Sequence, residues 1–99
     1  MLNIDKIIED GKAVFVLGGR LDTTTAPVLD AALKESLAGV SELTLDFSEV
    51  GYISSAGLRV LLTAQKLMNT QGRMKITHVN EIVKEIFDIS GFSRILTIE

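Results

Sequence analysis

The stretch Asp46-Phe47-Ser48-Glu49-Val50-Gly51-Tyr52-Ile53-Ser54-Ser55-Ala56-Gly57-Leu58, continuing through Arg59-Val60-Leu61-Leu62, decides how this chain is read. Leu43, Leu45 and Phe47 alternate with Thr44 and Asp46, the pattern of a strand with one buried face, and the strand is predicted to end at Phe47. A loop then crosses Gly51 and Tyr52. Ser54 or Ser55 opens a helix that carries Leu58, Leu61, Leu62, Gln65 and Met68 on one stripe and closes near Gly72. A strand followed at once by an amphipathic helix is the unit of an α/β fold.

Working outward, the same alternation recurs. Upstream, Leu2, Ile4, Ile7 and Ile8 lead into Asp10-Gly11, a dipeptide suited to a hairpin turn. Ala13 to Leu17 form the return strand, stopped by Gly18-Gly19. Thr24 or Thr25 caps a first helix with Pro27 in its first turn and Val28, Leu29, Ala32, Leu33 and Leu37 on its apolar face before Gly39. Downstream, Met74, Ile76 and His78 alternate as a strand. Asn80 caps a third helix bearing Ile82, Val83, Ile86 and Phe87, and Ser90-Gly91 reads as its left-handed C-cap. Ile95, Leu96 and Ile98 form a last short strand. The order is β-β-α-β-α-β-α-β: an N-terminal hairpin, then parallel crossovers, in a mixed sheet covered by helices chiefly on one face.

Composition bounds the function. The 99 residues suffice for one core and one domain, residues 1–99. Ten Lys and Arg against thirteen Asp and Glu give a net charge of −3, with no basic run, which argues against direct nucleic-acid binding and against an anionic membrane surface. No apolar run approaches the roughly 20 residues of a membrane span, and Met1 to Glu9 reads as a strand rather than a leader. With no Cys there is no disulfide, thiolate metal site or thiol nucleophile. The expectation is a cytoplasmic, bacterial-style domain.

Enzyme chemistry lacks parts. His78 is the single histidine, so neither a metal cluster nor a Ser-His pair is evident, and the Ser54-Ser55 turn does not fit a Gly-x-Ser-x-Gly elbow. Asp22, Asp30, Asp46 and Glu49 read as scattered solvated carboxylates. Gly18-Gly19 lacks the remainder of any phosphate-cradle motif, and no residue set supports a cofactor. The Ser54-Ser55-Ala56-Gly57 turn is different. One Ser suffices for an N-cap, worth about 1 kcal/mol, whereas two Ser followed by Ala56 and Gly57 leave a turn that another molecule can approach. A phosphoryl group is tolerated at a helix start and adds roughly −1.5 to −2 charges to the surface.

These residues resemble the signature of STAS domains, the family of sulfate transporters and anti-sigma factor antagonists, whose pattern runs Asp-Leu-Ser-x-Val-x-Phe/Tyr-Met/Ile-Asp-Ser-Ser/Ala-Gly-Leu. Gly19-Arg20-Leu21-Asp22 with Thr25-Ala26 resembles the family's Gly-Glu-Leu-Asp-x-x-Thr-Ala stretch, and Val83 to Gly91 is similar to its third-helix segment. The resemblance covers nearly the whole chain. It implies an anti-sigma factor antagonist that binds a serine-kinase anti-sigma factor and so regulates sigma-factor-dependent transcription. In such a system the kinase phosphorylates one Ser to end binding, and a serine phosphatase restores it. Carried over by position, the phospho-acceptor is Ser55, and the partner surface comprises Asp22, Thr23, Thr24, Ser54, Ser55, Ala56, Gly57 and Leu58. Ser54 stands where the family commonly has an acidic residue, which removes a fixed charge and offers a rival hydroxyl. Many family members continue into another helix past the last strand, and this sequence ends at Glu99. The alternative within the family is an accessory subunit of a membrane transport complex or a signalling scaffold.

Overall fold

Asp10 and Gly11 both take positive φ, 50° and 77°, the combination that a type I′ hairpin turn requires. They join β1 (Leu2–Glu9) to β2 (Lys12–Leu21), antiparallel from Glu9 opposite Lys12 to Leu2 opposite Gly19. The computed structural model describes residues 2–99, so the part of the N-terminal reading that falls on Met1 lies outside the described residues. There follow α1 (Ala26–Ser36), β3 (Glu42–Ile53), α2 (Ser55–Gln71), β4 (Arg73–Thr77), α3 (Glu81–Ser90) and a 3-10 turn at Phe92–Arg94. The sheet runs in the order β1-β2-β3-β4, with β2, β3 and β4 parallel, which is the mixed sheet expected of a hairpin followed by helical crossovers.

One face of the sheet is the core. Ala13 and Phe15 lie opposite Leu43 and Leu45, which lie opposite Met74 and Ile76, and all six are buried. The helices cover this face: Leu29 and Leu33 of α1 with Leu37 at its C-cap, Leu61 and Met68 of α2, and Val83 and Phe87 of α3 join the same cluster. The Phe47 and Phe87 rings meet at 6.2 Å between centroids, tilted by 45°. The alternate positions Val14, Val16, Thr44, Asp46, Lys75 and Thr77 are half-buried or exposed on the other face.

The strands run further than the alternation suggests. β2 continues through Gly18-Gly19 to Leu21, and β3 continues past Phe47 to Ile53. Their pairing slips twice: Val16 faces Asp46 but Gly18 faces Glu49, and Gly19 faces Val50 but Arg20 faces Tyr52. Each slip inserts one extra residue into β3 and shifts its inward phase. The buried positions therefore run Leu43, Leu45, Phe47, Val50, Ile53, a spacing that looks like the end of a strand in sequence. The last predicted strand is corrected in the opposite sense. Ile95 and Leu96 are drawn into the 3-10 turn by bonds of 3.0 and 2.8 Å from their N–H groups to the Phe92 carbonyl. Only a single parallel bridge, Ile76 with Ile98, remains.

Helix ends follow the sequence closely, helix faces less so. The Asn80 side chain accepts from the Val83 N–H at 2.8 Å and donates to the Val50 carbonyl at 2.9 Å, so it both caps α3 and ties it to the bulged part of β3. Gly91 takes the left-handed C-cap, φ 82°. Val28 and Ile82, expected on apolar faces, point outward with 52% and 61% exposure, because Leu29 and Val83 take the inward positions beside them.

Candidate functional site

The site begins where β2 and β3 end side by side, Leu21 opposite Ile53. The next residue, Ser54, donates its backbone N–H to the Leu21 carbonyl at 2.8 Å. Its extended backbone (φ −97°, ψ 175°) makes it the N-cap of α2, and its carbonyl accepts from the Leu58 N–H at 2.9 Å. The Ser54 hydroxyl accepts from the Gly57 N–H at a long 3.4 Å. Ser55 is therefore the first helical residue; its side chain is exposed, and its hydroxyl makes no hydrogen bond among the described residues. The two serines are not equivalent: one is part-buried and capping, the other presented outward.

Gly57 explains how the turn sits so close to the sheet. A Cβ there would lie 2.8 Å from both Ile53 Cγ1 and Leu21 Cγ and 3.0 Å from the Leu21 carbonyl oxygen. The missing side chain lets the first turn of α2 rest directly on the end of β2. Leu58 is buried beneath it, whereas Ala56 is half-buried at its edge.

The adjoining loop is built around Asp22. Its Oδ1 accepts from the Thr24 hydroxyl at 2.8 Å, the Thr24 N–H at 3.0 Å and the Thr25 N–H at 3.1 Å. The Thr24 hydroxyl, together with these backbone N–H groups, holds the carboxyl down at a pKa of about 2. Thr25 occupies the N-cap of α1 but, contrary to its expected role, bonds no helix N–H with its side chain. Its hydroxyl instead donates to the Arg20 carbonyl at 2.7 Å and accepts from the Asp22 N–H at 2.8 Å. Thr23 and Thr24 are left exposed on the outside of this turn. The second oxygen of Asp22 lies 3.6 Å from Arg20 Nε, and the Arg20 guanidinium lies over the Tyr52 ring at 4.4 Å.

Asp46 serves another part of the molecule. Its Oδ1 accepts from the Ser48 N–H at 2.8 Å, at the first bulge, and lies 3.4 Å from His78 Nδ1. The Ser48 bond, reinforced by the His78 charge, keeps this carboxyl below its ordinary range. His78 follows β4 with a left-handed backbone, φ 59°. Among the described residues, no group of three or more His, Asp or Glu side chains is placed to hold a metal ion.

Between α1 and α2, beside this turn, runs an open groove of about 310 Å³ whose walls include Thr23, Ala26, Asp30, Lys34, Ala56 and Arg59. Two residues singled out in sequence, Thr23 of the loop after β2 and Ala56 of the first turn of α2, thus share one groove. Asp30 is paired with Lys34 at 2.9 Å, while Arg59 has no carboxylate within 4 Å among the described residues. Sequence reading passed over Arg59, Arg20 and Tyr52. The spacing from Ser55 to Arg59, one helical turn, is the signal that was available for the first.

The Mlab, STAS domain family matches residues 6–97. BtrV of Bordetella bronchiseptica, named as an anti-sigma factor antagonist, is 38% identical over 99 residues, spanning 98% of this chain and 84% of its own. The crystal structure of an anti-sigma factor antagonist from Mycobacterium paratuberculosis superposes with a TM-score of 0.89 at 20% identity, covering 99% of this chain and 85% of that one. The phosphorylated form of the Bacillus cell-fate determinant SpoIIAA superposes with a TM-score of 0.74 at 16% identity, over 100% of this chain and 91% of that one. At these identities the structural likenesses establish the fold. The chain belongs to the STAS domain family, and its relatives include anti-sigma factor antagonists. No helix among the described residues is long and apolar enough to cross a membrane.

Proposed function

We propose that this protein is an anti-sigma factor antagonist whose surface around Ser55 binds a serine-kinase anti-sigma factor and is switched off by phosphorylation of Ser55. The observation that carries the reading is the division of labour at the start of α2. Ser54 caps the helix, and Ser55 stands exposed, its hydroxyl without a hydrogen bond among the described residues and next in sequence to Ala56, which lines the groove with Thr23. In the switching step the Ser55 Oγ attacks the γ-phosphorus of a nucleoside triphosphate held by the kinase. The new P–O bond forms as the bond to the β,γ-bridging oxygen breaks; the nucleoside diphosphate leaves, and the hydroxyl proton passes to a base on the kinase. The modified surface carries roughly −1.5 to −2 added charges where the partner met a small neutral side chain. A serine phosphatase restores the hydroxyl by hydrolysis: water attacks the phosphorus, the bond to Ser55 Oγ breaks, Oγ takes a proton and inorganic phosphate leaves. The chain itself acts by binding and turns over no substrate, and its work lies in the cytoplasm, with the sigma factor that its partner holds.

The test is capture of partners by wild type, Ser55→Ala and Ser55→Asp. Ser55→Ala retains a kinase-type anti-sigma factor, and Ser55→Asp loses it by about tenfold or more in affinity, as a misplaced interfacial charge does. Equal capture by both variants overturns the switch. A transporter ATPase captured in place of the kinase makes the protein an accessory subunit of a membrane transport complex.

A further inference from the structure

Within α2, side chains four residues apart lie on one face, roughly 5–6 Å apart at Cβ. They also lean toward the helix N-terminus, so a residue covers the turn before its own. Arg59 stands four residues after Ser55. It lines the groove together with Ala56, and no carboxylate lies within 4 Å of its guanidinium among the described residues. The other charged side chains that line the groove are Asp30 and Lys34 on α1, and they are paired with each other at 2.9 Å. Ser54 is the N-cap, outside the helical spacing, and the residues three and four positions after it, Gly57 and Leu58, carry no charge.

We infer that Arg59 is the intramolecular counter-ion of phosphorylated Ser55, drawing the phosphoryl group along α2 to the mouth of the α1–α2 groove. An anionic residue followed four positions later by a cationic one is the favourable orientation for a helical pair. Phosphate oxygens and a guanidinium form the stronger, charge-assisted type of hydrogen bond. The pair changes what phosphorylation does. Besides adding charge, it folds a bulky, hydrogen-bonded group over Ala56 and takes Arg59 out of the surface offered to a partner. It also discriminates between the two serines, since only a phosphate on Ser55 finds a cation one turn away.

This inference rests on Ser55 being the modified residue, but its test does not depend on the host's kinase. Phosphoserine is installed at position 55 during synthesis of the full chain, and its phosphorus resonance is followed through a pH titration at low salt. The comparison is between wild type, Arg59→Gln and Arg59→Lys. The helix start is common to all three, so its effect cancels. The phosphate of the wild type releases its second proton at lower pH than that of Arg59→Gln, by about half a unit or more, as a nearby opposite charge produces. Arg59→Lys falls between them, and the gap narrows at about 1 M salt, where the screening length is only ~3 Å. Superimposable titrations of wild type and Arg59→Gln at low salt overturn the pairing while leaving the Ser55 switch standing. Failure of the native protein to carry phosphate on Ser55 overturns the switch whatever the titrations show.

Discussion

The Ser54 N–H and the Leu21 carbonyl are 2.8 Å apart, and this one bond joins the end of β2 to the start of the helix that presents Ser55. It brings the turn after β2 and the turn after β3 onto one surface. Gly57 makes the approach possible, and Asp22 organises the loop on the other side.

Gly57→Ala tests that approach. Ala is the better helix former by up to about 1 kcal/mol, but its Cβ would meet Leu21 and Ile53 at 2.8 Å. The expected net result is destabilisation by about 1–3 kcal/mol in urea unfolding, the range for an overpacked site. Stabilisation would show that the turn is not pressed on the sheet.

Ser54 and Ser55 separate by stability. Ser54→Ala removes the N-cap acceptor and lowers unfolding free energy by about 0.5–1 kcal/mol, the low end for caps because the bond is long. Ser55→Ala is neutral within about 0.5 kcal/mol, as expected of an exposed side chain without partners. Equal losses in chemical denaturation would contradict the division of roles.

Asp22 gives the stability a pH signature. Its folded-state pKa, about 2, lies below the value of 3.8 for an unperturbed Asp. Its contribution is therefore fully present above the unfolded value and is lost as pH falls through the folded one. The difference in denaturation midpoint between wild type and Asp22→Asn stays constant above about pH 5 and closes between about pH 4 and 2. A gap independent of pH would mean that the carboxylate charge is not engaged by Thr24 and Thr25.

Two residues of α3 contrast packing with exposure. Phe87 is fully buried against Phe47, so Phe87→Ala costs about 3–5 kcal/mol. Ile89 is 79% exposed, so Ile89→Ser changes stability by less than about 0.5 kcal/mol. Thermal unfolding of the two variants distinguishes these costs.

Much of this architecture was legible because its signals are local. Asp10-Gly11, Asn80 and Gly91 act through their own backbone angles or through bonds three residues away. What escaped depends on partners distant in sequence. The bulges of β3 appear only when Val50 and Ile53 are set against Gly19 and Leu21, and the short end of the chain reflects a turn that engages Ile95 and Leu96 before they reach the sheet. The Ser-Ser-Ala-Gly motif marked the site, but two adjacent hydroxyls look alike in sequence. The bond to Leu21 and the extended backbone of Ser54 distinguish them. Thr25 shows the same limit, since its hydroxyl serves the loop rather than the helix that it precedes.

The central claim is tested most directly on protein recovered from its native host, assayed together for phosphate and for bound partners. Trypsin cleaves after Lys34 and Arg59, releasing one peptide, Glu35 to Arg59, that contains both serines. The account predicts phosphate on Ser55 and a kinase-type anti-sigma factor that co-purifies with the unmodified form alone. An unmodified peptide under all growth conditions, or phosphate on Ser54 with Ser55 untouched, would contradict it.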